Sequence, residues 1–138
     1  DARRAVEVTL KELDRTFGDV YGTSAGHLEF QYTARASYAL NKAFGAPIGK
    51  SFGITVGAPA AIGVLLADTA VKAANVDVVG VSTPGNGGTS FSNEVILTFS
   101  GDSGAVRQAI IGAREVGKQL LKALEPSEPL ESGTVPYI

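Results

Sequence analysis

The sequence predicts an α/β domain: a four-stranded, largely antiparallel sheet with helices packed on one face. Three observations lead there. The hydrophobic period switches repeatedly between two and about 3.6 along the chain. The resulting elements follow the order β-α-β-α-β-β-α, interleaved strands and helices with one hairpin, which suits a single layered sheet. Hydrophobic residues make up 44% of the 138 positions, enough for one core.

The chain opens with a helical stripe, Val6, Leu10, Leu13 and Phe17, followed by Gly18, where a helix end favours glycine. A polar linker, 19–26, comes next. Leu28, Phe30 and Tyr32 then alternate with His27, Glu29 and Gln31, as in a half-buried strand. A short helix is predicted over 34–44, with Ala36, Leu40, Ala43 and Phe44 inward and residues 45–47 (GAP) as its stop. Phe52, Ile54 and Val56 mark the second strand. Pro59 suits a helix start. That helix would bury Ile62, Leu65, Leu66, Thr69 and Ala73, and would pair Asp68 with Lys72 at i,i+4. Residues 76–81 make the third strand and 83–92 a loop of Gly, Ser, Thr, Asn and Pro. The fourth strand, 94–100, carries Val95, Leu97 and Phe99 on one face. In the last helix Asp102 or Ser103 would cap the start, and Val106, Ala109, Ile110, Ala113, Val116, Leu120 and Leu121 form the buried stripe. Its small residues Ala105, Ala109, Gly112, Ala113 and Gly117 read as a packing seam.

Composition narrows the function classes. Charged residues are 19% and the formal net charge is −2, low for a small domain exposed on all sides, which hints at surface covered by a partner. There is no cysteine, so disulfides and thiolate metal sites are excluded. One histidine, His27, excludes a multi-histidine metal site. No apolar run is long enough for a membrane helix, no basic cluster suits nucleic acid, and the first residues lack a signal-peptide pattern.

The first and last helices echo one another. Shifted by 103 positions, Arg4 falls on Arg107, Leu10 on Ala113, Glu12 on Glu115, Leu13 on Val116 and Phe17 on Leu120. The opening helix therefore reads as the closing helix of a preceding, similar unit.

Residues 67–80 (ADTAVKAANVDVVG) and 101–107 (GDSGAVR) resemble the two signatures of the bacterial microcompartment shell family, in the family's order. A strand and helix at 28–44 come before them, where a standard member carries its C-terminal elements. The chain therefore resembles the circularly permuted type. Residues 10–20 (LKELDRTFGDV), 31–40 (QYTARASYAL) and 89–94 (TSFSNE), with Pro136, Tyr137 and Ile138, are similar to its tandem-domain, propanediol-utilisation members. The resemblance implies these boundaries: 1–18, the terminal helix of a preceding domain otherwise missing; 19–26, a linker; 27–124, the permuted domain; 125–138, a flexible tail.

It also implies a function. The chain would be a structural shell protein without a cofactor, in a cytoplasmic microcompartment. Tandem domains would form a homotrimer that mimics a hexagon, alongside other shell proteins and the encapsulated pathway enzymes. The loop Ser82, Thr83, Pro84, Gly85, Asn86, Gly87, Gly88, Thr89 and Ser90 would line a pore for small polar metabolites such as glycerol or 1,2-propanediol. Small residues allow several backbones near one axis, and their N–H groups and hydroxyls replace water around a polar solute. On spacing alone the same stretch is an ordinary long hairpin loop. Phosphate binding at residues 85–88 is disfavoured because a strand, not a helix, follows. Lys72 and Asn75 would sit at a tile edge, although the plain reading of Lys72 is its surface pair with Asp68. His27 with Glu29 suggests an acid–base pair, yet no nucleophile accompanies them, and a surface histidine is the simpler reading. The competing function is a small-molecule-binding regulatory α/β domain. An enzyme would need a convergent titratable set that this sequence lacks.

Overall fold

A computed structural model describes residues 1–16, 19–86 and 93–125 of the chain. The elements are α1 (Ala2–Thr16), β1 (Val20–Thr23), β2 (Gly26–Thr33), α2 (Tyr38–Phe44), β3 (Ser51–Ala58), α3 (Ala60–Ala73), β4 (Asp77–Ser82), β5 (Val95–Gly101) and α4 (Ser103–Ala123), with a 3-10 turn at Pro84–Asn86. The sheet runs β1-β2-β3-β5-β4 and each neighbouring pair is antiparallel.

The predicted alternation is what places the core. Leu28 lies opposite Gly57 and Phe30 opposite Thr55, while Gly57, Thr55 and Gly53 face Val95, Leu97 and Phe99 in turn. These residues share one face of the sheet. Ile62, Leu66 and Ala70 of α3 and Val106, Ala109, Ile110, Ala113 and Leu121 of α4 cover it. Phe99, Leu28, Leu66 and Val106 are fully buried there. Burying a side chain of this size contributes about 1.5–3 kcal/mol. The central strand is small on this face because the helices come down on it. A Cβ on Gly63 would lie 2.5 Å from the Gly57 carbonyl oxygen and 2.6 Å from Val95 Cβ. The first turn of α3 therefore rests directly on β3 and β5. The α4 seam works similarly at Gly112, where a Cβ would meet Ala73 Cβ at 3.1 Å.

Several expectations change. The sheet has five strands, because the segment read as a linker pairs as β1 on β2, Tyr21 opposite Leu28. Only four residues long and broken by Gly22, it lacks a legible period, and the neighbouring edge recruits it. The helices do not all share one face. Phe52 points away from α3 and α4 and packs with Ala36 and Ala46, and its ring lies 5.7 Å from that of Phe44. So α2 covers the opposite face. It is also shorter than predicted, starting at Tyr38 and ending on Gly45 in the left-handed region (φ 73°). Ala36 is buried ahead of the helix, whereas Ala43 and Phe44 are exposed. In α3, Leu65 and Ala73 are exposed, and the buried set is Ile62, Gly63, Leu66 and Ala70. Gly63 belongs to this face because a Cβ there would not fit so close to the sheet. Asp102 takes the cap position of α4, but its side chain makes no capping hydrogen bond. The Ser103 hydroxyl instead lies 2.6 Å from the Tyr32 phenol.

Helix α1 presents Val6, Val8 and Leu10 to solvent, at 57%, 50% and 59% exposure. The expected tail beyond Glu125, and Phe17 and Gly18 at the expected end of the first helix, lie outside the described residues.

Candidate functional site

The loop leaves the sheet where edge strand β4 ends. Ser82 closes the strand opposite Ile96, and Ser82 and Thr83 are half-buried. Pro84 then starts the 3-10 turn, with Pro84 and Gly85 exposed. The backbone of Asn86 completes it. Gly87, Gly88, Thr89 and Ser90 lie outside the described residues.

The return arm is fastened at two points that sequence reasoning missed. The Ala60 N–H, an orphan at the start of α3, donates to the Asn93 side-chain oxygen at 3.1 Å. Pro59 occupies the cap position and has no side chain to do this. The next residue, Glu94, is half-buried, its carboxylate 3.4 Å from His27 Nε2; Glu29 lies 3.9 Å from the same nitrogen. His27 thus faces two carboxylates, one on its own strand and one just ahead of β5. A polar residue just before a strand was the only available signal for Asn93. Nothing in the sequence pairs residue 94 with residue 27.

The two expected edge residues sit at the other end of β4. Lys72 lies in the last turn of α3, and its Nζ donates to Asp68 Oδ2 at 2.6 Å. Both side chains are largely exposed, at 74% and 53%. Asn75 is exposed in the connection to β4. The six residues of β4 separate this pair from the loop, a span of roughly 17 Å at about 3.3 Å per residue. The structure therefore does not bring Lys72 together with residues 82–86, the described start of the loop.

A third polar group flanks α4. Arg114 Nη1 donates to both carboxylate oxygens of Asp19, at 3.3 and 3.2 Å. The Tyr21 hydroxyl donates to the same carboxylate at 3.2 Å. Desolvation, then this hydrogen bond, hold the Tyr21 phenol above its ordinary value. The neighbouring Tyr32 phenol is held below its own, chiefly by the hydrogen bond with Ser103. An open groove runs between Tyr32, Arg107, Ile110, Ile111, Arg114 and Asp19. None of the described clusters of His, Asp and Glu has a metal-binding arrangement. No described helix is long and apolar enough to cross a membrane.

The family model described as the BMC domain matches residues 51–129. The chain is 70% identical over 129 residues to the bacterial microcompartment shell protein PduB of Salmonella typhimurium, covering 94% of this chain and 47% of that protein. It is 54% identical over 121 residues to PduB of Limosilactobacillus reuteri, covering 88% and 50%. Among solved structures, a trimeric bacterial microcompartment shell protein PduB superposes with TM-score 0.84 at 50% identity, covering 94% of this chain and 57% of that one. EtuB from Clostridium kluyveri gives 0.85 at 53% identity, covering 89% and 54%. The chain spans about half the length of the curated relatives it matches.

Proposed function

The chain belongs to the BMC-domain family of microcompartment shell proteins, and on that premise we propose that it builds a pore-bearing tile of such a shell. The observation that carries this is the 70% identity, across 94% of the chain, to a protein named for that shell role. The family is structural, and in our reading this domain catalyses nothing of its own. The proposed unit is a trimer of tandem domains, a pseudohexagon, lying beside other shell proteins and over the encapsulated pathway enzymes. Residues 82–90 would line a pore for small polar solutes of the glycerol and 1,2-propanediol class. The small, hydroxyl-rich composition of that loop supports this. Lys72 and Asn75 would lie at the tile edge.

Two exposed apolar surfaces support assembly. On α3, Val64 and Val71 stand seven residues apart on one stripe at 56% and 40% exposure, and Val78 on edge strand β4 is at 50%. Three exposed valines on one helix and the adjoining edge suit a neighbouring domain. The stripe of Val6 and Leu10 on α1 likewise suits the sheet of a preceding domain, of which α1 would be the closing helix.

Electron microscopy of the purified protein tests the proposal. Flat hexagonal arrays or curved shell sheets are expected. Discrete oligomers whose size changes with a bound small molecule would favour a regulatory domain instead. Turnover of a propanediol-pathway substrate, abolished by one substitution, would refute the non-catalytic reading.

A further inference from the structure

Helix α4 sets Arg107, Ile111 and Arg114 on one stripe, at i, i+4 and i+7. With Ile110, Tyr32 of β2 and Asp19 they line an open groove of about 390 Å³. The two guanidiniums are not equivalent. Arg114 is engaged by Asp19, whose carboxylate oxygens its Nη1 reaches at 3.3 and 3.2 Å. Arg107 lies over the Tyr32 ring, 5.8 Å from its centroid, and forms an ion pair with no described carboxylate. The geometry points to a binding site for a small carboxylate with a short aliphatic body, its charged end on Arg107 and its body along Ile110 and Ile111. The site uses none of the residues read as pore lining or tile edge, so it stands or falls apart from that reading.

Charge, shape and surface select this ligand. Two guanidiniums against one carboxylate leave the groove one positive charge in excess, which a monoanion matches. A dianion would bring a second, uncompensated charge towards Asp19. The planar guanidinium fork accepts both oxygens of a carboxylate side by side. Beside it, Ile111 is 38% exposed, an apolar surface that a hydrocarbon body would cover. The site is also prepared in advance. The Tyr32 hydroxyl lies 2.6 Å from that of Ser103, which fixes the ring, and Arg107 stacked on a fixed ring loses less freedom on binding. The groove is open to water, so the affinity is modest and salt lowers it.

The test titrates the full, isotope-labelled chain with butyrate at fixed ionic strength, following the Arg107 and Arg114 side-chain N–H groups and the Ile110 and Ile111 methyls by NMR. Saturating shifts at Arg107 and Ile111 are expected, and butyramide, the same body without the charge, should give none. Arg107→Gln should weaken butyrate binding at least about ten-fold, as losing a charge-assisted hydrogen bond does. Ile111→Ser should weaken butyrate several-fold and leave acetate, which has almost no body, unchanged. Both positions are exposed, so both variants should fold, and their melting temperatures check this. Shifts that rise without saturating, or an Arg107→Gln variant that binds butyrate as the parent does, would overturn the site. Inorganic phosphate binding more tightly than butyrate would overturn the carboxylate assignment. An apolar peptide with a free C-terminus binding more tightly than butyrate would assign the groove to a chain end and overturn the small-molecule reading.

Discussion

At the scale of single residues, close approach governs stability. Gly63 is buried where the first turn of α3 meets Gly57 and Val95, and a Cβ there would fall 2.5 Å from a backbone oxygen. Backbone does not yield as a side-chain tip does. Gly63→Ala should therefore destabilise the fold by about 1–3 kcal/mol, the usual range for overpacking. Gly22→Ala serves as the control, because nothing lies within 4 Å of its Cβ position. Denaturant melts of the two variants check the contrast. Charge works more gently at Tyr21. Desolvation and then the Asp19 hydrogen bond favour its neutral form in the folded state, so its folded pKa is raised. The resulting stability is fully present below the unfolded tyrosine value near 10 and is lost as pH rises through the folded one. Asp19→Asn removes the negative charge and leaves the Arg114 cation unopposed. The Tyr21 titration, followed by NMR of its ring, should move down; no movement would remove Asp19 as a cause.

Among the elements, α1 stands apart from the rest. Val6, Val8 and Leu10 are exposed, whereas the corresponding stripe of α4 is buried on the sheet. A helix whose described apolar residues lie in solvent adds little to the domain beside it. Val6→Ser with Leu10→Ser should shift the unfolding free energy of residues 27–124 by no more than about 0.5 kcal/mol, as surface changes do. Leu66→Ala, at a fully buried position of α3, should cost about 2–5 kcal/mol in the same assay. A large loss from the α1 pair would mean that α1 packs on this domain and does not close a preceding one.

For the whole molecule, the question is how a weak contact shapes an assembly. Lys72 and Asp68 pair on the outside of α3, both largely exposed, and such a pair contributes under about 1 kcal/mol. That is too little to affect folding. An ammonium on a flexible stem can nonetheless meet carbonyls across a flat joint, and the contact would recur along each tile edge. Lys72→Ala should leave the melting temperature and trimer unchanged while impairing sheet growth, read by size-exclusion chromatography and electron microscopy. Loss of the trimer, or sheets of normal extent, would show that Lys72 is not at the edge. Lys72 and the described start of the loop lie at opposite ends of β4, so pore and edge variants should act independently.

What the sequence determined by itself was whatever is written in neighbouring residues. Leu28 and Phe30 alternate with polar partners, and Val95, Leu97 and Phe99 recur at period two. The α4 stripe recurs at helical spacing. Each pattern holds because burial of one face selects it locally. The antiparallel α/β architecture followed from their order, and the family from motifs at 67–80 and 101–107. Tertiary structure decided what depends on partners far along the chain. Residues 20–23 became a strand only because β2 offered an open edge. The opposite-face position of α2 follows from Phe52, whose strand is buried on both sides, so its alternation of large and small residues does not say which helix covers which face. At the candidate site, the loop was legible as a run of small polar residues. Its anchors were not, because the Asn93 bond to Ala60 spans 33 positions and Glu94 meets His27 across a still longer separation. No local period records contacts of that range; they exist only once the sheet has brought β2, α3 and the start of β5 to one end of the molecule.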